Sequence, residues 1–338
     1  MQIQEFVDLK SMNTMGVAAR ARYFTTVHSE ADVKAALAWA KDHGVAPFVL
    51  GGGANLLITT DLVDRLVIKM AITGLEVVGE NDAEYLIKIG AGEDWHSTVD
   101  RLITMGYAGL ENLALIPGTV GASVVQNIGA YGTEVAQRVK EIEVFNPKTG
   151  DVEAMTYQEC DFAYRHSIFK EADYADLVVL TVTFALPKVW EANLSYKELA
   201  NHLADCSEVS ARDVFDAVVA VRSRKLPDPK VLGSAGSFFK NPVVDHEQFL
   251  SLLERFPSIV HYDVGGGQQK LAAGWMIDQA GLKGHRKGDA GTYEKQALVL
   301  VNHGKATGEE LWAYAQMIQA KVMEKFGVAL EPEPVILN

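Results

Sequence analysis

The chain has 338 residues, 48% of them hydrophobic and 22% charged, with a formal net charge of −13. Length and apolar content predict two or three domains with sizeable cores. The acidic balance argues against a nucleic-acid partner, because a phosphate backbone calls for a basic face. The two cysteines, Cys160 and Cys206, form no CxxC or metal-ligand spacing, which predicts free thiols in a reducing compartment and no metal site. The opening residues MQIQEFVDLKSMN hold no apolar core of a signal peptide, and no uninterrupted apolar run approaches the ~18 residues of a spanning helix. The expectation is a cytoplasmic protein without membrane insertion.

In chain order, Ser29 with Asp32 predicts a capping box, and Val33, Ala36, Leu37 and Ala40 then share one helix face that Gly44 ends. Pro47–Leu50 reads as a short buried strand running into Gly51, Gly52, Gly53, Ala54 and Asn55, followed by a second apolar run, Leu56–Ile58. Such a turn offers backbone amides to a pyrophosphate, or it simply reverses the chain between two strands. It is not a Rossmann fingerprint, since no G-x-G-x-x-G opens a helix, and no G-x-x-x-x-G-K-[ST] occurs anywhere. Residues 65–70 and 85–89 read as strands, and 94–105 as a helix closed by Gly106.

Next comes GLENLALIPGTVGASVVQNIGAYG, residues 109–132, which holds five glycines and one proline and in which Glu111 is the only ionised side chain. Gly118, Gly121, Gly129 and Gly132 are positions for special dihedrals or for close approach to a large flat group. The stretch reads either as a binding cradle of backbone N–H groups or as a buried crossing between domains. Ile142 and Val144 alternate with glutamates before the hairpin signal Asn146-Pro147-Lys148-Thr149-Gly150, and 177–184 is a β-branched strand. The middle of the chain is therefore α+β with a mixed or antiparallel sheet.

Ser210 and Asp213 open a helix that carries Val214, Val218 and Val221 on one side. It delivers a basic run of Arg222, Arg224, Lys225 and Lys230. Pro227 and Pro229 stop it and mark a boundary near residue 229. Helices follow at 247–256 and 271–280, and a strand at 297–302. The last helix opens at a Thr307/Glu310 capping box, runs its stripe through Leu311, Tyr314, Ala315, Ile318 and Val322, and closes at Gly327.

Three polar features stand out against this frame. In GSAGSFFKNP, Ser237 follows Gly236 but lacks the second glycine of a nucleophile elbow, so it is a turn residue or a hydroxyl beside a ligand held by the basic run. Arg165, flanked by Phe162, Tyr164, Ile168 and Phe169, reads as partly buried and hence paired with an anion. Glu331 and Glu333 interrupt an apolar tail, one exposed and the other turned inward. His96 and His166 read as structural.

Together these motifs resemble the UDP-N-acetylenolpyruvoylglucosamine reductase family. The resemblance covers nearly the whole chain, from NTMG and LGGGANLLI through GAGEDWH, the 109–132 stretch, YRHSIFK, LPDPK, GSAGSFFKNP and KLAAGWMIDQAGLKG to LEPE. The segment LSYKEL around Tyr196 is similar to the longer form of the family, with its extra tyrosine loop. The implied fold is α+β: a two-lobed FAD-binding domain of the vanillyl-alcohol-oxidase (PCMH) type and a smaller α/β substrate-binding domain. The lobes would span 1–72 and 73–228, the substrate domain 229–328, and a tail returning to the active site 329–338.

The resemblance implies reduction of an enolpyruvyl UDP-sugar with NADPH as hydride donor and FAD as carrier, and no obligatory protein partner. Hydride would pass from flavin N5 to the terminal carbon and a proton from Ser237, with Arg165 and Glu333 as the other catalytic residues. FAD would be held by Gly51, Gly52, Gly53, Ala54, Asn55, Gly118, Thr119, Gly121, Ala122, Ser123, Asn127 and Gly129. The UDP-sugar would be held by Tyr131, Tyr196, Arg222, Lys225, Asn241, Tyr262 and Gln296. Two positions depart from the family pattern: Ala54 stands in place of a serine, and Pro334-Val335 where an arginine often follows the glutamate. The alternative reading is another FAD-dependent oxidase or dehydrogenase of the same fold.

Overall fold

The structure, a computed structural model, describes all 338 residues, Met1–Asn338. The chain divides into two compact units. Unit 1 comprises Met1–Val7, Ala21–Gly53 and Asp64–Arg224, and unit 2 comprises Asp8–Arg20, Ala54–Val63 and Lys225–Asn338. No helix is long and apolar enough to cross a membrane.

Unit 1 holds two sheets. The first orders its strands Gln4–Asp8, Arg20–Val27, Leu62–Met70, Pro47–Leu50. Its last pair is parallel and sets Leu50 opposite Lys69. Helix α1, Glu30–Asp42, starts where the sequence predicts, with the Ser29 hydroxyl accepting from Asp32 N. Val33, Ala36 and Ala40 are buried as expected from the spacing. The second sheet is five-stranded and antiparallel, in the order Asp151–Thr156, Val139–Asn146, Val178–Pro187, Glu84–Gly90, Leu75–Glu80. The predicted hairpin closes it, with Asn146 facing Asp151.

Helix α2, Trp95–Thr104, is capped by the Asp94 carboxylate, which accepts from Ser97 N. Its fully buried Trp95 meets Phe184 edge-on at 6.1 Å. The glycine stretch folds less simply than a loop. It contains a 3₁₀ turn at Glu111–Leu113 and a short buried helix, α3, at Val120–Gln126. Helix α4, Lys197–His202, follows Tyr196, and α5, Ala211–Lys225, buries Val214, Val218 and Val221 as its periodicity predicts.

Unit 2 is built around a four-stranded antiparallel sheet ordered Gly233–Ser237, Val299–Asn302, Ala290–Thr292, Arg286–Lys287. A three-stranded sheet adds Val243–Val244, Gln268–Leu271 and His261–Gly265. Helices α6 (His246–Arg255), α7 (Ala273–Gln279) and α8 (Gly308–Phe326) enclose a core that includes Phe238, Phe239, Met276, Leu311 and Tyr314. Both halves of the Thr307/Glu310 capping box form, and Gly327 ends α8 in the left-handed region at φ 71°.

Two early segments belong to this unit. Met15 and Leu57 lie in its core. Leu56–Ile58 pairs in parallel with Val335–Leu337. Buried Asn13 folds the NTMG motif by donating to Leu9 O and Val17 O and accepting from Val17 N, at 2.8–3.0 Å.

Candidate active site

In unit 1 the two glycine clusters lie backbone against backbone. A Cβ built on Gly52 would stand 2.6 Å from Gly118 Cα, and one on Gly51 would stand 2.7 Å from Thr119 Oγ1 and 3.3 Å from Ala122 Cβ. Neither position admits a side chain, so both turns are closed by contact with each other. Gly118 (φ +135°) and Gly53 (φ +63°) sit where side chains are rarely tolerated. Around this seam, Trp95 N donates to Gly118 O, Val120 N to Glu93 O and Gly121 N to Ala91 O, at 2.9–3.1 Å. Gly121 itself is a glycine because of Ala91: an added Cβ would lie 2.7 Å from the Ala91 Cβ. Ser123 spends its hydroxyl on Val120 O at 2.6 Å.

The buried Thr119 hydroxyl has no hydrogen-bond partner. A buried orphan donor beside two side-chain-free turns is what a polar, extended ligand such as a flavin dinucleotide would complete. The cradle therefore fits FAD. Lys69, which the sequence reading passed over, donates to Gly51 O at its rim.

Six non-glycine residues adopt positive φ, and Asn127 (φ 42°), Tyr131 (φ 48°) and Arg165 (φ 53°) are among them. Each costs about 1–2 kcal/mol and persists only where its surroundings hold it. Fully buried Asn127 is consumed internally, donating to Ala163 O and Glu134 Oε2 and accepting from Ala136 N. Arg165 donates to Gly129 O at 2.7 Å and to Asn127 O at 3.4 Å. A Cβ on Gly129 would crowd that guanidinium at 2.9 Å.

Arg222, on α5, faces Tyr131 and Arg165. Burial draws its guanidinium below the usual arginine range; Tyr131 acts in the opposite sense, and the Arg165 charge adds to the lowering. Its buried Nε has no partner. Two guanidiniums therefore lie within electrostatic reach of each other in unit 1. Tyr131 meets Tyr196 edge-on at 5.1 Å, and Tyr196 is 43% exposed.

The segment leading to Tyr196 is tied to the glycine stretch. Asn193 donates to Gly132 O and Asn112 donates to Asn193 O, while Trp190 Nε1 donates to the buried Glu111 carboxylate at 2.6 Å. No local sequence signal marks these ties, because each joins residues about 60–80 apart in the chain.

Unit 2 brings the segment that follows Ser237 beside the segment that holds Glu333. Exposed Ser237 ends its strand opposite Val299. Glu333 N donates to Phe238 O, Phe239 bridges Pro332, and Lys240 N donates to Glu331 O. Glu331 is the exposed acid and pairs with Lys240 Nζ at 2.5 Å, whereas Glu333 is half-buried.

Asn55 fastens the same C-terminal segment, donating to Glu333 O at 3.1 Å and accepting from Val335 N at 3.0 Å. Ala54 O accepts from the Thr14 hydroxyl. Asn241 accepts from Ala273 N at the start of α7, and Gln296 accepts from Leu298 N beside Gly274. Tyr262, 53% exposed, stands opposite Lys270, and Lys225 is the half-buried last residue of α5.

The chain is similar to known proteins along its whole length. Residues 21–156 match the family model described as an FAD binding domain, and 228–337 match UDP-N-acetylenolpyruvoylglucosamine reductase, C-terminal domain. The chain is 48% identical to the UDP-N-acetylenolpyruvoylglucosamine reductase of Chromobacterium violaceum over 100% of this chain and 99% of that protein. It is 45% identical to that of Pseudomonas syringae over 99% and 98%. The crystal structure of the reductase from Thermus caldophilus superposes with a TM-score of 0.69 at 25% identity, covering 100% of this chain and 98% of that one.

Proposed function

Because the chain belongs to the UDP-N-acetylenolpyruvoylglucosamine reductase family, we propose that it reduces the enolpyruvyl ether of UDP-N-acetylglucosamine to UDP-N-acetylmuramate, a step of peptidoglycan precursor synthesis, through FAD and NADPH. When bound and reduced by NADPH, FAD supplies a hydride for the terminal alkene carbon. The remaining tasks fall to the protein. Negative charge spreads from the neighbouring carbon into the substrate carboxylate, and Arg165 and Glu333 stabilise it there. Ser237 then gives its proton to the carbon bearing that carboxylate. Arg222 and Lys225 take the diphosphate, while Tyr131, Tyr196, Asn241, Tyr262 and Gln296 orient the nucleotide sugar.

FAD is held by the turn from Gly51 to Asn55 and by Gly118, Thr119 and the start of α3, while Asn127 and Gly129 brace the backbone beside it. Two free thiols and a reaction between a nucleotide sugar and NADPH accord with the cytoplasm.

The observation that carries the catalytic assignment is the pairing in unit 2 of the Ser237–Phe238 segment with Glu333. That bond holds the backbone next to Ser237 against the backbone of Glu333, 96 residues away in the chain. The test is Ser237→Ala, which removes one hydroxyl and little volume. Bleaching of the bound flavin by NADPH should stay within a few-fold of wild type, because no proton goes to carbon in that half-reaction. Reoxidation by the enolpyruvyl substrate should slow by roughly 10²–10⁴-fold. Equal slowing of both steps, or of neither, sinks the assignment.

A further inference from the structure

The flavin cradle of unit 1 is electrically bare. Residues 51–58 contain no charged side chain, and residues 109–132 contain only Glu111, which is bonded to Gly109 N and Trp190. Two acids stand close in sequence to the fold of the second turn, but both are spoken for: Glu93 accepts from Gly74 N and Asp94 from Ser97 N. A dinucleotide diphosphate carries about two negative charges at neutral pH, and a partly buried anion is costly unless a counter-charge accompanies it. Backbone amides lower that cost without cancelling the charge.

One ammonium answers this need. Parallel pairing sets Lys69 opposite Leu50, the residue immediately before Gly51. Its Nζ donates to Gly51 O at the rim of the cradle. No carboxylate pairs with it, and burial alone lowers its affinity for the proton relative to an ordinary lysine. A half-buried cation whose identified partner is a neutral carbonyl has donors to spare. Lys69 interrupts the buried run Leu66, Val67, Ile68 and Met70 at the end of its strand, where a lysine is uncommon in the absence of a partner.

Resting on the reading of this cradle as the FAD site, we propose that Lys69 is a further cofactor-binding residue, supplying the positive charge that neutralises the FAD diphosphate. Its bond to Gly51 O also ties the first glycine turn to the neighbouring strand, so the same side chain shapes the cradle and charges it.

The two roles separate by substitution. Lys69→Gln keeps a donor for Gly51 O and removes the charge. Apoprotein is titrated with FAD, followed by quenching of flavin fluorescence, at low and at high KCl. Neutralisation should weaken FAD binding by about ten- to a hundredfold at low salt, on the scale of one charge-assisted contact, and should flatten the salt dependence seen in the wild type. FAD affinity equal to wild type overturns the proposal. So does a weakening that leaves the salt dependence unchanged, which would make the lysine only a brace for the turn. If the glutamine variant does not fold, Lys69→Arg, which keeps the charge, must bind FAD within a few-fold of wild type, and a loss beyond about tenfold overturns the charge assignment. Wild-type protein that is colourless and binds no FAD would defeat the flavoprotein reading itself; a yellow wild type with an unaffected glutamine variant would defeat this inference alone.

Discussion

Gly121 lies in the middle of the cradle at an ordinary helical φ, and what forbids a side chain there is Ala91. The sequence marks the position as special but not the reason, since glycine serves equally for a ligand, a dihedral or a neighbouring backbone. Here the neighbour is 30 residues away, and an added Cβ would lie 2.7 Å from its Cβ and 3.2 Å from its carbonyl. Gly121→Val should therefore destabilise the protein before any cofactor is considered, by about 1–3 kcal/mol as for other overpacked sites. Urea unfolding of the apoprotein measures this directly. Unchanged apoprotein stability with lost FAD binding would mean that the added side chain meets the cofactor and not Ala91. Lys69 illustrates the opposite case: its partner is a carbonyl 18 residues earlier, and a lysine inside a strand pattern carries no mark of what it faces.

At the scale of elements, helix and turn ends are written in adjacent residues, whereas burial is not: Pro47–Leu50 reads as a buried strand, but only Leu50 is buried. Ser29 with Asp32, Asp94, Thr307 with Glu310, and Gly327 all end helices where their side chains or left-handed backbone require. The Asn146–Gly150 turn closes its hairpin for the same reason, since turn chemistry is written in adjacent residues. Helix α3 was not legible. It has seven residues, it buries Val120, Gly121, Ser123 and Val124, and it therefore lacks the polar face that gives an amphipathic helix its period. The site divides in the same way. Glycine clusters and the basic run were visible, whereas the approach of the segment after Ser237 to Glu333, or of Tyr131 to Arg222, exists only once strands and helices have packed. The caps also carry measurable stability. Thr307→Ala removes the hydroxyl that accepts from Glu310 N and should cost about 1 kcal/mol. A shift in the urea midpoint with an unchanged slope would register it, and no shift would mean that the rest of the 19-residue helix holds its first turn without the cap.

For the whole molecule, the two cysteines report on the integrity of the fold. Cys160 is fully buried in the core of unit 1, and burial pushes its thiol up to about 12, with Glu159 adding to the effect. Cys206 is exposed. The thiolate is the reactive form, so the native protein should titrate one thiol with a disulfide reagent at pH 8 and two after unfolding. Two rapid equivalents in the native state would contradict the burial of Cys160. Unit 2 raises a different matter, because it gathers residues from three separated stretches of chain. Thr59 bonds to Leu337 across 278 residues, and the strand just before it, Leu56–Ile58, is wholly buried once paired. On a ribosome adding about 5–20 residues per second, that strand emerges roughly fifteen seconds to a minute before its partner is made. During that wait an apolar edge hangs unpaired beside a nascent unit 1, open to strands of neighbouring chains on the same polysome. The hazard belongs to translation alone and leaves no trace in the finished protein.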